Sequence, residues 1–223
     1  MTDSIDDLIS KGIELGKNEK YFDALKNFLK VLETDKNNVN AWRGGATSWE
    51  YIAKEYRRSS NFEKMKECAE ESIRCWDEVI KLDDSIAEAW FGKGSVLWDF
   101  MRDAENALEC FQNATDLDEN HVLAYMNMGI LLDNVNQPTD AITCFKLALK
   151  LDDTCQPLWY NAGVTLAKQG GYQEALDCFN KSIDLDGTHA NSWLSKSKIL
   201  KILGQINESE ICMMKYDELT GNN

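Results

Sequence analysis

The side chains best suited to chemistry in this 223-residue chain are seven cysteines and two histidines. Cys110, Cys144, Cys178 and Cys212 recur at 34-residue steps, and Cys75 precedes them by 35. Three are followed directly by phenylalanine, as Cys110-Phe111, Cys144-Phe145 and Cys178-Phe179. Such a row has three readings: a thiol site, a metal site, or one position of a repeated unit. A disulfide needs Cα atoms within about 4.4–6.8 Å, and zinc needs ligands converging within about 2.0–2.3 Å of one ion.

Other catalytic groupings are missing. The chain has no phosphate-cradling loop, no nucleophile elbow and no zinc-ligand spacing. The acidic pairs Asp83-Asp84 and Asp152-Asp153 fall where helical runs end, and turns and solvation explain them there. We therefore expect no enzyme, no cofactor and no metal. The net charge of −14 repels a phosphate backbone, so nucleic acid is not expected as the main partner. Anionic membrane surfaces are disfavoured for the same reason. No stretch reaches the roughly 18 apolar residues of a membrane-spanning helix. The start, "MTDSIDDLISKG", lacks the features of a signal peptide. An odd number of cysteines then points to reduced thiols and a cytoplasmic location.

The elements that position these residues are helices. Two prolines, thirteen glycines and runs such as "KMKECAEESIRCWDEVIKL" predict an all-α chain. Gly129 and Gly163, Ala141 and Ala175, Phe145 and Phe179, and Trp159 and Trp193 are each 34 residues apart. A 34-residue period with Trp, Gly, Ala and Phe in fixed order resembles the tetratricopeptide repeat. The resemblance implies a right-handed α-solenoid of about six stacked helix-turn-helix units forming one domain over 5–223. The units run 5–38, 39–86, 87–121, 122–155, 156–189 and 190–223.

Units four and five match best. The third carries Trp90, Gly94, Ala107 and Phe111 with one extra residue. Leu8 replaces the aromatic in the first, and Ser197, Ser209 and Met213 replace Gly, Ala and Phe in the sixth. The cysteine row then falls on successive second helices, roughly 8–10 Å apart or more, too far to bridge. His121 and His189 fall at unit boundaries. Cysteine here reads as a small packing residue.

Members of this family hold a peptide or helical segment of another protein in a concave groove lined by the first helices. The resemblance implies a scaffold or adaptor of that kind here. Helical spacing places Phe91, Trp98, Leu123, Met126, Ile130, Tyr160 and Val164 on the groove face, an apolar band suited to an apolar or amphipathic segment. The competing reading is that curvature buries them against neighbouring helices. Asn127 and Asn161 sit at equivalent places in "MNMG" and "YNAG", where relatives grip a peptide backbone. A capping or inter-helix bond is the alternative for both. Arg43, Lys198 and Lys201 would pair with acidic ligand residues. A chaperone-tail carboxylate clamp is not expected, because Ile9, Ile13, Glu88, Phe91 and Gly92 occupy the places its bases need.

The second unit is 48 residues long, 14 more than the period. Seven added to each helix is about two turns, which keeps the apolar faces in register. Ser60 and Glu63 predict a capping box for its second helix. Its tip, with Tyr56, Arg57, Arg58 and Phe62, is either a further contact site or a length variation held by its own contacts. The sixth unit leaves Ile211 and Met214 without a following helix. A homodimer, or a self-assembling structural subunit built on that end or on the long hairpin, is the alternative function.

Overall fold

A computed structural model describes residues 4–221, so the last two residues of the expected sixth unit lie outside it. The described residues form helices and turns without a strand, as the sequence predicts. They divide into two compact units, Met1–Glu119 and Asn120–Asn223. Both are stretches of α-solenoid.

The first unit contains three helical hairpins. They are α1 (Ile5–Lys17) with α2 (Tyr21–Thr34), α3 (Val39–Arg58) with α4 (Phe62–Leu82), and α5 (Ala87–Val96) with α6 (Ala104–Leu117). In the second, α7 (Val122–Asn134) pairs with α8 (Pro138–Leu151), α9 (Gln156–Lys168) with α10 (Tyr172–Leu185), and α11 (Ala190–Ile202) with α12 (Ile206–Thr220). Within each unit the second helix of one hairpin packs on the first helix of the next, α2 on α3 and α8 on α9 for example.

Local chemistry sets the helix starts. Ser4 and Asp7 form a capping box on α1, and Asn38, Asp103 and His121 accept backbone N–H bonds at their helices. Pro138 and Pro157 open α8 and α9, where a missing N–H costs nothing. The periodic tryptophans tie each hairpin to the turn before it. Trp42, Trp90, Trp159 and Trp193 donate their indole N–H to the carbonyls of Lys36, Asp84, Asp153 and Gly187. In three of these turns an aspartate (Asp83, Asp152 or Asp186) accepts from the backbone and hydroxyl of the Ser or Thr two residues on. Those bonds hold the three carboxyls below their ordinary range.

The hairpin seams explain the periodic small residues. A Cβ on Gly129 would meet the Phe145 ring at 2.7 Å, and one on Gly163 the Phe179 ring at 2.8 Å. Phe111, Phe145 and Phe179 are almost fully buried. In the last hairpin serines take the glycine and alanine places: Ser197 and Ser209 are buried, and each donates to the other's carbonyl at 2.9 Å. The substitution is self-satisfying.

The long hairpin has helices of 20 and 21 residues against 13 and 14 in α1 and α2, so the extra length is split evenly. Its predicted capping box is corrected. Asn61 accepts from the Lys64 N–H as the N-cap, while Ser60 takes φ +57°. The αL turn residue shifts the cap by one. The extra residue of the third repeat, 87–121, is absorbed in a π-helical turn, Leu97–Met101, that continues α5.

Candidate functional site

The second unit brings Met126, Asn127 and Ile130 of α7 beside Tyr160, Asn161 and Val164 of α9, since these first helices are neighbours. All six are half-buried, and Leu123 is 47% exposed. The face results from what the opposite sides bury: Ala124, Met128 and Leu131 on α7, and Leu158, Ala162 and Thr165 on α9. The carboxamides of Asn127 and Asn161 make no hydrogen bond among the described residues. Tyr160 and Val164 lean on the cluster around Leu176 and Phe179. The Tyr160 ring also meets His189 edge-on at 4.8 Å and Phe179 at 6.1 Å. Packing therefore accounts for part of that aromatic, more than the helical spacing alone foretells. Lys168 closes the far end of the pair of helices with an ion pair to Asp133.

Phe91 and Trp98 belong to the first unit. The Phe91 ring lies 6.0 Å from Phe111. Trp98 sits in the π-helical turn, and the Arg102 guanidinium lies over its ring at 5.8 Å. Arg43 lies on α3, half-buried and with no ion-pair partner among the described residues. Lys198 and Lys201 are exposed and border a hollow of their own hairpin with Leu194, Ile206 and Met213.

At the tip of the long hairpin, Tyr56 and Arg57 are engaged inside the unit. Tyr56 packs edge-on against Phe22, and Arg57 covers the Phe100 ring at 5.0 Å. Arg58 is exposed, and Phe62 is 62% exposed. Arg57 is exposed as well, so its contact with Phe100 engages it in part.

One relationship was not evident from the repeat. The place of Asn127 and Asn161 is taken in the first unit by Gly44 and Gly92, and rings of the preceding hairpin fill the space. Phe28 lies 2.4 Å from a Cβ on Gly44, and Trp76 2.5 Å from one on Gly92. The first unit therefore offers an aromatic floor where the second offers carboxamides. The sequence signal was Trp76, which stands at the position of the repeated phenylalanine.

The cysteine row is internal. Cys75, Cys110, Cys144, Cys178 and Cys212 are buried and unbridged, as is Cys68. Burial pushes the thiols up, to about 12 for Cys75 and about 11 for Cys110, Cys144 and Cys178. No group of three or more metal-ligating side chains gathers among the described residues. No helix among them is long and apolar enough to cross a membrane.

Models of the tetratricopeptide repeat match residues 87–121, 122–155, 157–189 and 190–223. No curated protein matches the chain. Among solved structures, Pseudomonas aeruginosa PilF superposes with a TM-score of 0.80 at 16% identity, over 98% of this chain and 93% of that one. PilW, described as a widely conserved type IV pilus biogenesis factor, gives 0.77 at 18% identity over 98% and 94%. YrrB, described as a TPR protein with an unusual peptide-binding site, gives 0.62 at 19% identity over 88% and 93%. These likenesses are of fold. With four repeat matches covering more than half of its length, the chain belongs to the tetratricopeptide repeat family.

Proposed function

We propose that the chain is a protein-interaction scaffold whose second unit holds a segment of another protein along α7 and α9. The observation that carries this reading is the pair Asn127 and Asn161. They occupy equivalent positions on neighbouring helices, and their carboxamides have no hydrogen-bond partner among the described residues. A carboxamide offers a peptide backbone both a donor and an acceptor, and these two are left free to make those bonds. Leu123, Met126 and Ile130 supply adjoining apolar surface, and Tyr160 and Val164 a firmer wall. The peptide-binding description of YrrB is a precedent within the fold.

Lys198 and Lys201, in the same unit, answer acidic residues of the ligand in this reading. Phe91, Trp98 and Arg43 are proposed contacts of the first unit by itself, and Arg58 with Phe62 makes a secondary contact at its hairpin tip. No catalytic step is assigned. We place the scaffold in the cytoplasm.

The test is capture from a native cell extract by the tagged chain. Asn127→Ala with Asn161→Ala, Met126→Glu, and Arg58→Ala with Phe62→Ala run beside it. Tyr160 is left intact because its packing against His189 and Phe179 confounds truncation. A partner kept by the tip variant and lost by both groove variants supports the reading. A partner lost only by the tip variant moves the contact to the hairpin.

Self-assembly is a second reading, favoured by the apolar residues that α12 leaves exposed, Ile211 at 59% and Met214 at 62%. Sedimentation at rising concentration tests it. A mass that stays at 25.4 kDa rejects it.

A further inference from the structure

The repeat is broken at one place in the second unit, and a hollow of about 440 Å³ lies there, bounded by α8, α9 and α10. Trp159, Ala162 and Leu166 line it from α9, and Ile142 and Leu149 from α8. Helical spacing sets these α9 residues on the face opposite Tyr160, Asn161 and Val164, so the hollow is separate from the carboxamide face. Its volume is within the usual range for ligand pockets, about 300–1,000 Å³.

The first break is one small side chain. A period before Ala162 stands Met128, and a period after it stands Lys196. Met128 is buried, and the Lys196 ammonium lies over the Trp193 ring at 5.8 Å. Trp193 is the periodic counterpart of Trp159. The last hairpin thus covers a ring that Ala162 is too short to cover in the fifth. The Trp159 N–H is spent on the Asp153 carbonyl at 2.7 Å, so its ring offers the hollow an apolar surface.

The second break falls on the rim. Lys146 and Lys150 line the hollow one turn apart on α8, where α6 has Gln112 with Asp116 and α10 has Asn180 with Asp184. Both lysines are exposed and have no ion-pair partner among the described residues. Glu174 is the one acidic residue of the lining. In a chain of net charge −14 this rim is locally basic.

We propose that the hollow binds a small amphipathic anion, a flat apolar ring system bearing one carboxylate, sulfonate or phosphate group. The ring system seats over Ala162, against the Trp159 ring and between Leu149 and Leu166. The anionic group stays at the rim and pairs with Lys146 and Lys150, while Glu174 opposes it. Nothing in the site calls on Asn127 or Asn161.

The probe is naphthalene-2-sulfonate, titrated into the full chain and followed through the NMR signals of the Leu166 methyls and the Trp159 indole N–H. Both signals should shift saturably. The neutral naphthalene-2-sulfonamide should bind roughly three- to tenfold more weakly, the scale of exposed ion pairs. Lys146→Asn with Lys150→Asp, the residues that α10 carries there, should weaken the sulfonate to the same extent and leave the sulfonamide unchanged. Both positions are exposed, so folding is not at stake in that variant. Glu174→Gln should strengthen the sulfonate. Ala162→Met, the residue that α7 carries there, should abolish both titrations. Asn127→Ala with Asn161→Ala should leave them unchanged. Equal affinity for the two probes, no shift at either reporter, or undiminished binding by Ala162→Met would overturn the proposal. So would loss of binding in the asparagine variant, which would put the ligand on the other face of α9.

Discussion

The Trp76 indole occupies the space that a side chain on Gly92 would need. A Cβ there would lie 2.5 Å from both Cε2 and Cζ2 of the ring. The contact joins α4 to α5 and fixes the floor of the first unit. Gly92→Ala should therefore cost about 1–3 kcal/mol, the range for forcing extra volume into a packed site. Urea unfolding measures it. Trp76→Phe removes both the larger ring and an indole N–H that has no acceptor among the described residues, so combining it with Gly92→Ala should cost clearly less than the two changes summed. A neutral Gly92→Ala would mean that the indole moves aside freely.

The first helix of every hairpin is followed by a residue in the left-handed region. Gly170 and Gly204 serve in two cases, but Glu19, Ser60, Arg102 and Asn136 carry it in the others, at φ 58°, 57°, 57° and 62°. The left-handed conformation costs an ordinary residue roughly 1–2 kcal/mol, part of which glycine returns as unfolded-chain entropy. Glu19→Gly should raise stability by up to about 1 kcal/mol, and Asn136→Gly by less, because asparagine tolerates this region. Thermal melts of the two variants side by side check the ranking.

Thiol chemistry offers a test of the cysteine row. Six thiols are buried and desolvation raises the pKa of every one of them, while Cys155 is half-buried. The thiolate is the reactive form, so the buried six should resist a disulfide reagent near pH 8. One thiol per native chain should react promptly, and all seven in denaturant. Rapid native labelling of Cys144 or Cys178 would show that the seams open more readily than their packing implies.

Much of the fold was legible because the repeat writes its packing into residue size. Gly129 and Gly163 can only be small against Phe145 and Phe179, and the 34-residue spacing of all four survives in the sequence. The even lengthening of α3 and α4 followed from the need to keep two apolar faces in phase. Other features left weaker marks. Four turn residues adopt the left-handed conformation without being glycine, so Ser60 reads as a cap when Asn61 is the cap. The extra residue of the third unit was visible, but whether a turn or a helix would absorb it depends on packing around Phe100.

The site was legible in outline only. Helical spacing placed Met126, Asn127, Ile130, Tyr160, Asn161 and Val164 on one face. It did not foresee that His189, the residue before α11, would brace Tyr160. Nor did it reveal the cleft of the first unit. Ile9 and Ile13, which hold the places of a clamp's missing bases, line a cleft of about 490 Å³ with Phe28 and Tyr51. Composition alone does not tell which ring lies beneath a glycine.

The central claim is that the unused carboxamides of Asn127 and Asn161 grip a partner's backbone. The most direct test is calorimetric titration of the captured partner segment into wild type and into Asn127→Ala with Asn161→Ala, with thermal melts of both. Since neither side chain bonds to another described residue, stability should change by no more than about 0.5 kcal/mol. Affinity should fall at least about tenfold, as expected when hydrogen bonds to a buried backbone are lost. Equal affinity in the two proteins would contradict the account and leave the asparagines as surface residues.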